Sequence, residues 1–106
     1  MTPAIQFAAL ADETRCALVD LLRERPRPVH ELAAAFAISR PAISRHLRVL
    51  KEAGLISEER DGRENVYSLK RQRLRLLSTW FEQHWPNKPG HLKSAAGTEA
   101  QSEFDL

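Results

Sequence analysis

Residues 39–54, Ser-Arg-Pro-Ala-Ile-Ser-Arg-His-Leu-Arg-Val-Leu-Lys-Glu-Ala-Gly, constrain the fold more than any other stretch of the chain. They read as one helix with a start, two faces and a stop. Ser39 is an N-cap residue, since its hydroxyl can accept a hydrogen bond from a free first-turn amide. Pro41 falls in that first turn, where its missing N–H costs little. Gly54 stands where a left-handed C′ residue is wanted. Ile43, Leu47 and Leu50 form one apolar stripe at helical spacing. Pro41, Ser44, Arg45, Arg48 and Lys51 occupy the other side. A helix that buries one side and offers cationic and hydroxyl groups on the other suits the major groove of duplex DNA.

The flanking sequence supplies elements to hold that helix. Residues 2–11 read as a short helix with Ile5, Ala8 and Ala9 on an apolar edge. Asp12 caps a second helix whose buried face is Ala17, Leu18, Leu21 and Leu22, and Pro26 stops it at Arg25. Residues 25–28 read as a turn, and a third helix runs from about His30 to Phe36. A short link then joins it to the helix beginning after Ser39, the outline of a helix-turn-helix. After Gly54 the period becomes extended. Two strands flank Asp61-Gly62-Arg63, a hairpin signal, with Arg60 and Arg63 at the tip. Arginines on such a wing can enter a narrow minor groove.

Residues 70–85 return to helix with two apolar sides. Leu74, Leu77, Phe81 and Trp85 lie along one, and Leu69, Leu76 and Trp80 along the other. A small domain cannot bury both, so a second copy of the chain is expected against this helix and the first. Interface candidates are Ile5, Ala8, Leu74, Leu77, Phe81 and Trp85. The expected architecture is mainly α with a small β-hairpin, α-α-α-α-β-β-α, in one domain over residues 1–85. From Pro86 the sequence loses periodicity and gains Pro, Gly, Ala and Ser, so residues 86–106 are expected to be a disordered tail.

Charge supports a polyanionic partner. The net charge is only +2, but residues 40–75 carry 10 basic and 5 acidic side chains, while the segments on either side are net acidic. A solvated surface helix would carry similar charge. No apolar run approaches a membrane span, and nothing resembles a signal peptide, which makes a cytoplasmic chain with no membrane partner the simplest expectation. The single cysteine, Cys16, excludes an internal disulfide framework. Among Ala17, Leu18 and Leu21 it reads as a small packed hydrophobe. There is no Gly-rich phosphate loop and no metal cluster, so an enzyme is not expected.

Three segments, ALADETRCALVDLL, ELAAAFAISRPAISRHLRVLKEAGLI and ERDGRENVYSL, together resemble the ArsR-type (arsenical-resistance repressor) winged-helix regulators of bacteria, over about residues 5–85. The resemblance implies a homodimer built on the first and last helices, bound to a two-fold symmetric DNA operator and repressing transcription. By position it implies that Ser39, Arg40, Pro41, Ser44 and Arg45 face the groove. It places His46, Arg48 and Lys51 near phosphates and Arg60 and Arg63 on the wing. His46 also lies close to the Ile43–Leu47 stripe, where half-buried packing is an equal reading.

Many such relatives sense metals or redox state. Thiolate sites need several nearby cysteines, and this chain has one. Glu82 and His84 are too close in sequence for a helical metal pair, and His91 lies beyond two prolines. No cofactor is therefore expected, and the Trp80-Phe81 to Trp85 ending resembles the metal-independent autorepressor branch. The alternatives are a ligand- or redox-gated sensor using Cys16 or the dimer interface, with an effector unknown, and a winged helix that binds protein.

Overall fold

Capping residues set the boundaries of the elements that position the charged helix. A computed structural model describes residues 2–85. The elements run α1 (Ala4–Leu10), α2 (Glu13–Glu24), β1 (Arg27–Pro28), α3 (Val29–Ala34), α4 (Arg40–Glu52), β2 (Ile56–Asp61), β3 (Glu64–Leu69) and α5 (Arg71–Gln83). The expected tail, residues 86–106, lies outside the described residues.

The Asp12 carboxylate accepts from the Arg15 amide at 3.0 Å and starts α2. Arg25, ahead of Pro26, takes extended backbone and ends it. Ser39 Oγ accepts from the Ala42 amide at 3.2 Å and starts α4. At its far end Gly54 adopts φ +79°. Its amide donates to the Lys51 carbonyl at 2.9 Å, and the Leu55 amide reaches back to the Leu50 carbonyl at 3.0 Å. These two bonds make a Schellman cap, with Leu50 and Leu55 both in the core below it.

The core is one cluster. Leu18, Leu22, Leu32, Ile43, Leu47, Leu50, Leu55 and Ile56 are each no more than 1 % exposed. The predicted stripe of α4 therefore packs inward against α2, α3 and β2. In the hairpin, Ile56 pairs with Leu69 at the base and Asp61 with Glu64 at the tip. Gly62 (φ +67°) and Arg63 form the two-residue loop, and positive φ at the first of these is what such loops require.

Residues 27–28, expected within a turn, are a short edge strand. Arg27 pairs with Tyr67 and Pro28 with Val66, giving a three-stranded antiparallel sheet in the order β1-β3-β2. Pro28 lacks a backbone donor, which an edge tolerates and an interior strand does not. The pairing lies across nearly forty residues, beyond the reach of local pattern. The helix that follows covers Val29–Ala34 in place of the expected span to Phe36.

Candidate nucleic-acid interface

Burial of Ile43, Leu47 and Leu50 turns the other side of α4 to solvent. Arg40, Pro41, Ser44, Arg45, Arg48 and Lys51 are all exposed, as is the N-cap Ser39. Among the described residues, the guanidinium groups of Arg40, Arg45 and Arg48 make no hydrogen bond or ion pair. Arg15, Arg25, Arg27 and Arg71 contrast with them, each donating to a carbonyl or carboxylate of this chain. Three unpaired guanidiniums thus share one face of α4. The positive end of the helix dipole adds to the potential there. On the wing, Arg60 and Arg63 are exposed, and Arg60 Nε donates to the Gly62 carbonyl at 3.0 Å.

Two residues of the expected phosphate set are engaged within the chain. His46 is half-buried, and its Nδ1 lies 3.1 Å from Arg15 Nη1. Arginine can only donate, so Nδ1 is the acceptor in this contact. Asp12 Oδ2 is 3.9 Å away, and Arg15 Nε also donates to the Ala9 carbonyl at 2.6 Å. His46 therefore belongs to a hydrogen-bonded junction of α1, α2 and α4. Lys51 Nζ is 2.8 Å from Glu58 Oε1 on β2, and Tyr67 OH donates to Glu58 Oε2 at 3.2 Å. The Lys51 ammonium holds the Glu58 carboxyl below its ordinary range. Burial, with Glu58 beside it, pushes the Tyr67 hydroxyl up to about 12.

The interface candidates divide. Ile5 is 66 % exposed and Phe81 46 %, and Ala8 is exposed with them. Leu77 is buried in its own protomer, and Leu74 packs against the core. Leu76, assigned by spacing to the other side of the helix, is 53 % exposed. Trp85 is half-buried. Phe7 joins α1 to α5 through edge-on contacts with Trp80 (5.3 Å between centroids) and Phe81 (5.6 Å). Cys16, expected to be packed, is exposed, with its thiol 3.0 Å from the Leu10 carbonyl. The α2 face that carries it points away from Leu18 and Leu22. Among the described residues no three His, Cys, Asp or Glu side chains group to hold a metal, and no helix is long and apolar enough to cross a membrane.

The sequence model described as "Bacterial regulatory protein, arsR family" matches residues 12–58, which span α2 through α4 and enter β2. The HTH-type transcriptional regulator Rv2034 of Mycobacterium tuberculosis is 42 % identical over 84 residues, 79 % of this chain and 78 % of that protein. This chain belongs to the ArsR family of transcription regulators. The transcriptional repressor SdpR of Bacillus subtilis is 39 % identical over 75 residues, 71 % of this chain and 83 % of that protein. A crystal structure of a possible transcriptional regulator for arsenical resistance superposes with TM-score 0.70 at 43 % identity, covering 86 % of this chain and 95 % of the other. The homodimeric winged helix-turn-helix DNA-binding domain Mb0332 of Mycobacterium bovis superposes at 0.62 with 26 % identity, covering 79 % and 84 %. The winged helix-turn-helix fold is that of these ArsR-family neighbours, and members of the family are regulators and not enzymes.

Within this ArsR chain, sequence reading passed over Gln6, Arg15 and Glu58. Gln6 is a buried polar side chain whose Nε2 donates to the Ala53 carbonyl at 2.8 Å, capping the C-terminal end of α4 from α1. A polar residue on the inner edge of an apolar helix was its one visible signal. Glu58 had a subtler one. It pairs directly with Tyr67 across the hairpin, which the position of the Asp-Gly turn encodes once register is known. Tyr67 OH is engaged by that carboxylate.

Proposed function

We propose that this ArsR-family regulator is a repressor that binds a two-fold symmetric DNA operator as a homodimer and without a metal. The observation that carries the reading is the exposed row Arg40, Ser44, Arg45 and Arg48 on a helix whose other face is sealed into the core. Arg40, Ser44 and Arg45, with Ser39 and Pro41 at the helix start, read base edges. Arg48, Arg60 and Arg63 neutralise phosphates. Pairing through Ile5, Ala8, Leu76 and Phe81 on α1 and α5 sets two such helices about 34 Å apart, one turn of duplex. SdpR is a repressor and the M. bovis domain is homodimeric, and both properties are carried over here as parts of the proposal. The metal-independent part rests on the donor set, in which a single cysteine leaves no thiolate cluster to form.

Selection of bound duplexes from a random pool tests the reading directly. A recovered motif with two-fold symmetry and half-sites about one turn apart supports it, and a monomeric, asymmetric footprint overturns it. Replacing Arg45 with Ala relaxes base preference at one position per half-site, since a bidentate arginine–guanine pair discriminates by about 1–3 kcal/mol. An unchanged preference removes Arg45 from the readout set. Binding falls about 10³–10⁵-fold from 50 to 200 mM salt if 6–10 phosphates are contacted per dimer.

A redox-gated regulator is the second reading, and the exposure of Cys16 favours it. Peroxide that weakens operator binding tenfold or more in the native chain, but not in Cys16→Ser, establishes that gating. Equal binding by both chains with and without peroxide eliminates it.

A further inference from the structure

Beside the cationic face of α4 stands a carboxylate that electrostatics alone would exclude. Glu58, on β2, stands beside Lys51 and lines a cleft of about 240 Å³ between α4 and the wing, together with Ser44, Arg48 and Tyr67. A negative charge at this position repels the phosphates that Arg48 would attract. Its side chain is 22 % exposed and that of Lys51 is 52 % exposed, and a pair so open to water adds little to fold stability. Its geometry is nonetheless complete. One carboxylate oxygen accepts from Lys51 and the other from Tyr67, so helix, edge strand and central strand are tied at a single group. The core joins the helix to the base of the hairpin beneath this cleft, and the Lys51–Glu58–Tyr67 chain spans it on the solvent side.

We propose that Glu58 is a positioning residue and Lys51 its strut, fixing the angle between recognition helix and wing so that both grooves are engaged together. Lys51 is then not one of the phosphate contacts that the helix face contributes. This inference rests on the DNA-binding reading above. Its test separates the two, because a native chain that binds no duplex at low salt defeats that reading before any variant is compared.

Charge and geometry predict opposite signs for the loss of Glu58. If the carboxylate were only a charge near DNA, Glu58→Ala would tighten binding to every duplex. A strut predicts that Glu58→Ala weakens binding to the selected operator about tenfold, the scale of one charged hydrogen bond, while affinity for random duplex stays level or rises. Lys51→Met weakens operator binding to a similar degree without flattening the slope of log K against log salt. Arg48→Gln, which removes a cation from the phosphate backbone, flattens it by about 0.9 for each phosphate no longer neutralised. The double variant Lys51→Met/Glu58→Ala binds no more weakly than either single, because both remove one strut. Tyr67→Phe keeps the packed ring and gives a smaller effect in the same direction, and serves if either truncation melts below the assay temperature. Tighter operator binding by Glu58→Ala overturns the proposal, and so does a flattened salt slope for Lys51→Met that adds to the Glu58 effect.

Discussion

A residue's role in this chain is decided by which of its groups have already found a partner. Arg15 and Arg45 have the same side chain, yet Arg15 is committed to the Ala9 carbonyl and His46, whereas Arg45 is exposed and makes no hydrogen bond or ion pair among the described residues. Gly54 shows the same logic for backbone. At φ +79° it closes the Schellman cap, and a β-carbon there would lie 3.1 Å from Arg73 Nε. Gly54→Ala therefore destabilises the domain by about 1–2 kcal/mol, from the left-handed conformation first and the crowding of Arg73 second. Thermal unfolding followed by circular dichroism reads this as about 4–8 °C for each kcal/mol in a domain of this size. An unchanged Tm shows that the cap contributes nothing.

At the scale of elements, the wing is a hairpin with one hydrogen-bonded attachment to α4 and one to α3. The first is the Glu58 group, and the second is the pair His30 and Glu64. Titration distinguishes the members of the first. Glu58 has a lowered carboxyl, so its contribution is present above the unfolded value of 4.5 and is lost as pH falls through the still lower folded one. Tyr67 has a raised hydroxyl, so its contribution is present below the unfolded value of 10.0 and fades as pH climbs towards about 12. Urea midpoints are expected to be flat with respect to Tyr67 up to about pH 9, then to fall between about pH 10 and 12. Tyr67→Phe removes that alkaline component. A decline of equal size in both chains shows that other groups cause it. The elements themselves were mostly legible in the sequence, because caps at Asp12, Ser39 and Gly54 and the Asp61-Gly62 turn are local. Strand β1 was not, since Arg27 and Pro28 acquire their pairing only from β3.

At the scale of the whole molecule, the proposed pairing of two protomers turns on one apolar face. Ile5, Leu76 and Phe81 leave an apolar face on α1 and α5, and each such side chain is worth about 1.5–3 kcal/mol when fully buried. Phe81→Glu places a charge in that face. Sedimentation is expected to report a dimer for the native chain and a monomer for this variant, with operator affinity abolished and helix content retained. A native chain that sediments as a monomer at micromolar concentration overturns the pairing. Gln6 bears on the same scale. By capping Ala53 it ties α1 to the end of α4, so in the proposed dimer protomer contact and helix placement share one hydrogen bond.

The sequence by itself determined the recognition helix, its two faces and its ends, and with them the family resemblance. It could do so because helical periodicity, capping and turn chemistry act over a few residues. Tertiary structure alone decided which charges remain available. Leu77 is interior and Leu76 exterior, His46 and Lys51 are engaged while Arg40, Arg45 and Arg48 are not, and Cys16 faces solvent. Each of these depends on a neighbour brought from a distant part of the chain, and a single helix's pattern carries no record of what will be packed against it.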